Sequence, residues 1–222
     1  MRSILPFLKK LKQNNNKPWF DENRSTYEIA KKEWESIVES LIAGLATKDP
    51  SISTLKPKDC MFRINRDVRF SNDKSPYKTN FGAFICKGGK KSQMAGYYVH
   101  LEPGNSFVGG GLWMPMAPQL SKLRQEIDYN FSAFKKIILS SSFKKIYSTL
   151  DMSKETSLSR VPKGYESENP AAEFLKLKSF VATRALSDKE VNQDDFKKTI
   201  LSSFAALQPL IYFINEGISE SE

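Results

Sequence analysis

Between Phe62 and Phe84 the chain reads FRINRDVRFSNDKSPYKTNFGAF, with Arg63, Arg66, Arg69, Lys74 and Lys78 set against two acids, Asp67 and Asp73. Guanidinium and ammonium groups among hydroxyls, here Ser71, Ser75, Tyr77 and Thr79, are the donors a phosphate or carboxylate needs. Arg grips such an anion in bidentate fashion and Lys adds a point charge. Taken as one strand, CMFRINRDVRF alternates, so Cys60, Phe62, Ile64, Val68 and Phe70 share a face with Arg66 among them. A guanidinium on an apolar face needs a partner, because an isolated buried charge is very costly. That partner is either a carboxylate of the protein, such as Glu102 or Glu173, or an anionic ligand. Arg66, Arg69, Lys74, Tyr77 and Lys78 are therefore candidate ligand-binding residues. The competing role for them is an internal ion-pair network that ties the loop down.

Other chemistry is sparser. His100, the single histidine, titrates near neutrality, and with Glu102 two residues on it forms the candidate pair for proton transfer. The bland alternative is a strand histidine hydrogen-bonded in a partly buried face. Gly109, Gly110 and Gly111 interrupt what otherwise reads as a strand, and would let a ligand or another backbone come close. A bulge or a sheet–helix contact accounts for them equally well. GGKKS fails the P-loop pattern, with Phe84 where the first Gly belongs and Lys91 where Ser or Thr belongs. One histidine and two cysteines exclude a Cys/His zinc site and a disulfide framework. Cys60 and Cys86 read as reduced core thiols, although neighbouring strands would let them face each other. Asp67, Asp73 and Glu102 could bind magnesium, but no spacing singles them out, so no metal site is assigned. No cofactor is indicated.

The formal charge of +9 is concentrated. Residues 56–91 hold ten basic and three acidic side chains, a local excess of +7 that leaves +2 for the rest. A local excess favours one anion-facing surface over a generally basic coat. A small anionic ligand is the favoured partner. Nucleic acid comes second: Phe62, Phe70, Tyr77, Phe81 and Phe84 could stack bases, but several lie where the pattern wants core. A structural or interaction protein, in which the basic motif only fixes the fold, is the third reading. No apolar run approaches the ~20 residues of a membrane helix, and the start lacks a secretory pattern. A cytoplasmic protein with no membrane partner is expected, and oligomeric state is not legible.

Several elements must position these groups. Ile4, Leu8 and Leu11 share one face of a helix over the first thirteen or so residues, which QNNNKPW breaks. Tyr27, Ala30, Trp34, Ile37, Leu41 and Leu45 mark a long helix ending at Asp49-Pro50. FGAFIC is apolar on both faces and reads as a buried central strand. KGGKKSQ turns the chain, and GYYVHLE and SFVGGGLWM follow as strands. Leu120, Leu123 and Ile127 suit one helix, and Phe134, Ile137 and Ile138 the next. Residues 151–170 read as irregular, with Asn169-Pro170 opening a brief helix. LKSFVATR gives a fifth strand. Ser187 with Glu190 forms a capping box, and Phe196 to Ile214 a last helix, kinked at Pro209. Hydrophobic content of 40% supports a folded core. The expected architecture is α+β over residues 1–222: one domain, an antiparallel meander sheet flanked by N-terminal and C-terminal helices, with 216–222 a frayed tail.

NNNKPWF (14–20), FRINRDVRFSNDKSPYKTNFGA (62–83), GYYVHLEPGNSFVGGGLWMP (96–115) and VPKGYESENPAAEFLKLKSF (161–180) together carry a family resemblance. The sequence resembles the family catalogued as domain of unknown function 2461, seen mostly in bacteria, over nearly its whole length. The resemblance implies an α+β fold and brings no reaction, cofactor or catalytic residue with it. It does group Trp113 with Arg66, Arg69, Lys74, Tyr77, Lys78, His100, Glu102 and Gly109 to Gly111, because all stand in the matching segments.

Overall fold

The computed structural model describes residues 3–219. Helix α1 (Ile4–Gln13) buries Ile4, Phe7, Leu8 and Leu11. The Asn run does more than break it. Asn16 caps a second helix, α2 (Lys17–Glu22), its side chain accepting the Trp19 N–H at 3.0 Å, with Pro18 in the first turn. Helix α3 (Arg24–Ala46) buries Ala30, Trp34, Ile37, Val38, Leu41, Ile42 and Leu45, the face its spacing predicts. Each of its larger apolar side chains contributes roughly 1.5–3 kcal/mol on burial. Asp49 then caps a 3-10 turn, Pro50–Ile52, and α4 (Pro57–Cys60) follows.

The strand expected over CMFRINRDVRF does not form. Cys60 ends α4, and only Met61 and Asn65 make isolated antiparallel bridges, to Ala83 and Tyr77. Beyond Arg66 the chain leaves on a loop, so the alternation lapses and Phe70 is 96% exposed. The sheet accordingly has four strands: β1 (Phe81–Ile85), β2 (Gly96–Leu101), β3 (Ser106–Leu112) and β4 (Phe180–Leu186), in spatial order β1-β2-β3-β4. The expected antiparallel meander flanked by helices is present. FGAFIC holds an end strand rather than a central one. Its double-sided burial comes from the Met61 bridge, the Phe62 N–H bonded to the Gly82 carbonyl at 3.0 Å, and the packing of α3 and α4.

Helices α5 (Ala117–Tyr129), α6 (Phe131–Ile138), α7 (Ser141–Tyr147) and α8 (Ala172–Leu175) separate β3 from β4. Asn169 accepts the Ala171 N–H at 2.7 Å just ahead of α8. The capping box of Ser187 and Glu190 opens α9 (Asp188–Val191), and α10 (Phe196–Ile218) runs through Pro209. Of the tail expected to fray, 216–218 are helical and 220–222 lie outside the described residues.

Contacts divide the chain into two units. One holds the residues up to Ser92, Tyr98–Val108 and Ala185–Leu201; the other holds Gln93–Tyr97, Gly109–Arg184 and the residues from Ser202. The first centres on aromatics: Phe7, Phe20, Tyr27, Trp34, Tyr77 and Phe81 meet ring to ring. In the second, Tyr97 packs on Phe204, and Phe134 on Phe174 and Phe213.

Candidate functional site

Residues 64–66 and 76–78 form a short antiparallel ladder. The Arg66 N–H donates to the Pro76 carbonyl at 2.9 Å and the Lys78 N–H to the Ile64 carbonyl at 2.8 Å. Loop 67–75 closes it. The Arg66 guanidinium, 24% exposed, pairs with Asp73 and also donates to the Ser75 carbonyl at 3.2 Å and Ser71 Oγ at 3.3 Å. The carboxylate opposite Arg66 is thus Asp73, seven residues on, and not Glu102 or Glu173. Arg69 binds Asp67 in bidentate fashion, at 2.9 and 2.7 Å, and Lys74 Nζ donates to the Val68 carbonyl at 3.0 Å. Hydrogen bonds from Ser75, with Arg66 behind them, hold the Asp73 carboxyl down at about 2; Arg69 lowers Asp67 likewise. Three of the predicted anion ligands are therefore engaged by the loop that carries them. Tyr77, 7% exposed, stacks on Phe20 with ring centres 4.0 Å apart. The Asn15 side chain grips the Tyr77 backbone from both sides, accepting its N–H at 3.1 Å and donating to its carbonyl at 2.9 Å.

Beside the ladder lies a cavity of about 670 Å³. Lys58 from α4, Arg63 just ahead of the ladder, Lys78 from the ladder, and Lys90 and Lys91 from the turn after β1 line it. Tyr27, Trp34, Met61, Phe62, Ile64 and Phe81 supply aromatic and apolar wall. Helix α3 adds Lys31 and Glu35, which pair with each other at 3.7 Å. The glycine pair in the turn has a steric reason: Gly89, at φ +77, lies so close to the Asp59 carbonyl that a Cβ would sit 2.9 Å from it. That approach lets the Lys90 N–H bond Asp59 O at 2.9 Å and Lys90 Nζ reach the Lys58 carbonyl.

Among the described residues, no carboxylate lies within ion-pair distance of Lys58, Arg63, Lys78 or Lys91. Lys78 is half-buried, with Nζ 5.5 Å from the centre of the Phe62 ring. Burial, then the nearby Arg63 charge, lowers its pKa from the ordinary 10.5. Trp34 is 1% exposed, and its indole N–H has no hydrogen-bond partner among the described residues. Orphaned buried donors of this kind are rare in folded proteins.

His100 and Glu102 sit elsewhere in the same unit, in a closed network. Nε2 faces Glu102 Oε2 at 3.5 Å, while Nδ1 faces the Tyr98 hydroxyl at 3.1 Å and the Asn80 amide at 3.5 Å. The ring stacks on Phe107, centre to centre 4.7 Å. Thr79 donates to Glu102 at 2.7 Å, and Asn105 at 3.2 Å. Burial lowers the His100 pKa, with Glu102 only partly offsetting it. The Glu102 carboxyl is raised by burial, but the Thr79, Asn105 and His100 hydrogen bonds outweigh this and lower it overall. Both imidazole nitrogens thus face protein groups.

Gly109, Gly110, Gly111 and Trp113 belong to the second unit. A Cβ on Gly109 or Gly111 would run into the carbonyls of Ala182 or Phe180 on β4, and one on Gly110 into the Gly96 carbonyl and the Leu207 side chain of α10. The close approach these glycines permit is made by neighbouring backbone and a helix. Trp113 is 63% exposed. The sequence grouping is therefore scattered: Arg66, Arg69 and Lys74 in the loop, Tyr77 in the aromatic core, His100 and Glu102 in their network, the glycines and Trp113 in the second unit, and Lys78 at the cavity. Lys58, Arg63, Lys90 and Lys91 were visible only as part of the basic excess over 56–91. Gly88-Gly89 was the signal that the turn must return two of them to α4. Cys60 and Cys86 are free and buried, their thiols pushed up to about 11 and about 12 by burial. Among the described residues, no three His, Cys, Asp or Glu side chains stand together to hold a metal, and no helix is long and apolar enough to cross a membrane.

Fold and site together define an α+β protein with an aromatic-walled basic cavity. The chain belongs to the family described as conserved hypothetical protein (DUF2461), which matches residues 3–213. No curated protein and no solved structure matches it.

Proposed function

We propose that the cavity binds a small ligand carrying a phosphate or carboxylate, with a planar or apolar part laid against Phe62. The observation that carries this is the set of four cations, Lys58, Arg63, Lys78 and Lys91, lining one cavity with no carboxylate within ion-pair distance of any of them among the described residues, the cavity's Glu35 being paired with Lys31. Lys78 is half-buried beside the Arg63 charge, both of which disfavour its ammonium, and a bound anion would relieve that cost. On this reading the anion sits beside Lys78, and Arg66 and Arg69 shape the loop. The nucleic-acid reading loses two of its aromatics, because Tyr77 and Phe81 are in the core.

Calorimetric titration with inorganic pyrophosphate tests the proposal. Saturable binding at one site per chain, competed by phosphate, is expected. A single-stranded oligonucleotide that binds far more tightly than pyrophosphate, with affinity falling steeply in salt, would favour the nucleic-acid reading instead. Absence of binding to either would overturn both.

A further inference from the structure

We infer that Lys78 is the reactive amine of this cavity, forming an imine with the carbonyl carbon of a ligand that also carries the anionic group. The inference rests on the anion-binding reading above and says what that site does with its ligand. Three observations set Lys78 apart from its neighbours. It is half-buried where Lys58 and Lys91 are exposed, and the equally half-buried Lys90 gives its Nζ to the Lys58 carbonyl. Its backbone is pinned in the ladder by the bond to Ile64, so the amine is presented from a fixed base. Its Nζ lies near the Phe62 ring, against which a flat carbonyl compound can lie.

The charged and titratable groups around the cavity are Arg63, Lys58, Lys90, Lys91, Lys31, Glu35 and Tyr27, and Glu35 is paired with Lys31. Cationic neighbours and partial burial both favour the neutral amine, the form that attacks a carbonyl. The Nζ lone pair adds to the carbonyl carbon to give a carbinolamine. Nitrogen then gives up its two protons, the former carbonyl oxygen leaves as water, and C=N replaces C=O. Amine plus carbonyl yields imine plus water, with no oxidant or reductant needed. Arg63, permanently charged, holds the anionic group while Lys78 gives up its own charge to react.

The full chain is incubated with pyridoxal 5′-phosphate, an aromatic aldehyde bearing a phosphate, reduced with borohydride, and mapped by peptide mass spectrometry. Binding of 4-deoxypyridoxine 5′-phosphate, which lacks the aldehyde, is measured in parallel. One adduct at Lys78 is expected, at concentrations about tenfold or more below those needed with pyridoxal, since the phosphate supplies at least one charge-assisted contact. Lys78→Arg keeps the charge and loses the adduct. Label spread evenly over exposed lysines, or placed on Lys58, Lys90 or Lys91 with Lys78 untouched, overturns the inference. If 4-deoxypyridoxine 5′-phosphate still binds in that case, the anion-binding reading stands by itself; if it does not, both fall.

Discussion

Arg63 and Arg66 stand three residues apart in one basic run, yet their surroundings are opposite. Arg66 points into its own loop, where Asp73, Ser75 and Ser71 take up its donors. Arg63 lines an open cavity with Lys58, Lys78, Lys90 and Lys91, and no carboxylate meets it. Both acids of the loop stretch, Asp67 and Asp73, are claimed by Arg69 and Arg66. A cluster's net charge thus says little about where it is available. What counts is which cations the local acids can reach, and here both acids pair with arginines of their own loop stretch.

The largest expected effect separates the two groups by ligand affinity. Arg63→Ala and Lys78→Ala should each weaken pyrophosphate binding about 10- to 100-fold, the value of one charge-assisted hydrogen bond. Arg66→Ala and Arg69→Ala should leave it unchanged; equal losses from both pairs in calorimetry would erase the distinction. A smaller effect is expected from Gly89→Ala. A Cβ there meets Asp59 O at 2.9 Å and the backbone is at φ +77. The substitution should destabilise the fold by about 1–3 kcal/mol in urea titration. It should also displace Lys90 and Lys91 and so weaken the anion further. Full stability in the variant would show that the turn does not depend on contact with α4.

Arg66→Ala should lower the thermal midpoint and raise the Asp73 carboxyl, read by carboxyl NMR, from about 2 toward 3.8. A depressed carboxylate stabilises the fold above its unfolded pKa, and that contribution is lost as pH falls from 3.8 toward about 2. The variant should therefore lose less stability across that window than the parent.

The smallest effect belongs to the His100 network. With its folded pKa below 6.5, His100 binds a proton more readily in the unfolded chain, so stability falls as pH drops through 6.5. Glu102, lowered from 4.5, adds a further loss below that value. His100→Gln should flatten the first fall in a pH series of unfolding midpoints and keep the second.

The helices were legible because their apolar residues recur at helical spacing, as in α3 and α10, and the strands of the meander because short turns join them. The end position of β1 was not, because Met61 and Phe62 bond to a strand edge that a sequence pattern cannot distinguish from a paired one. Alternation around Arg66 misled for a related reason: a short ladder and a full strand share a period, and only the acceptor Asp73, seven residues on, shows that the chain turns back. Lys78 was legible as one of many lysines in a basic run. Its companions Lys58, Lys90 and Lys91 come from segments on either side of β1, and their convergence is a property of the fold.

The central claim is that Lys58, Arg63, Lys78 and Lys91 meet in one cavity without a carboxylate to pair with among the described residues. The titration of Lys78 tests it most directly, followed through its ε-carbon by NMR without and with saturating pyrophosphate. The account predicts a Lys78 pKa below 10.5 in the free protein, rising when the anion binds. An ordinary value that pyrophosphate leaves unmoved would contradict it.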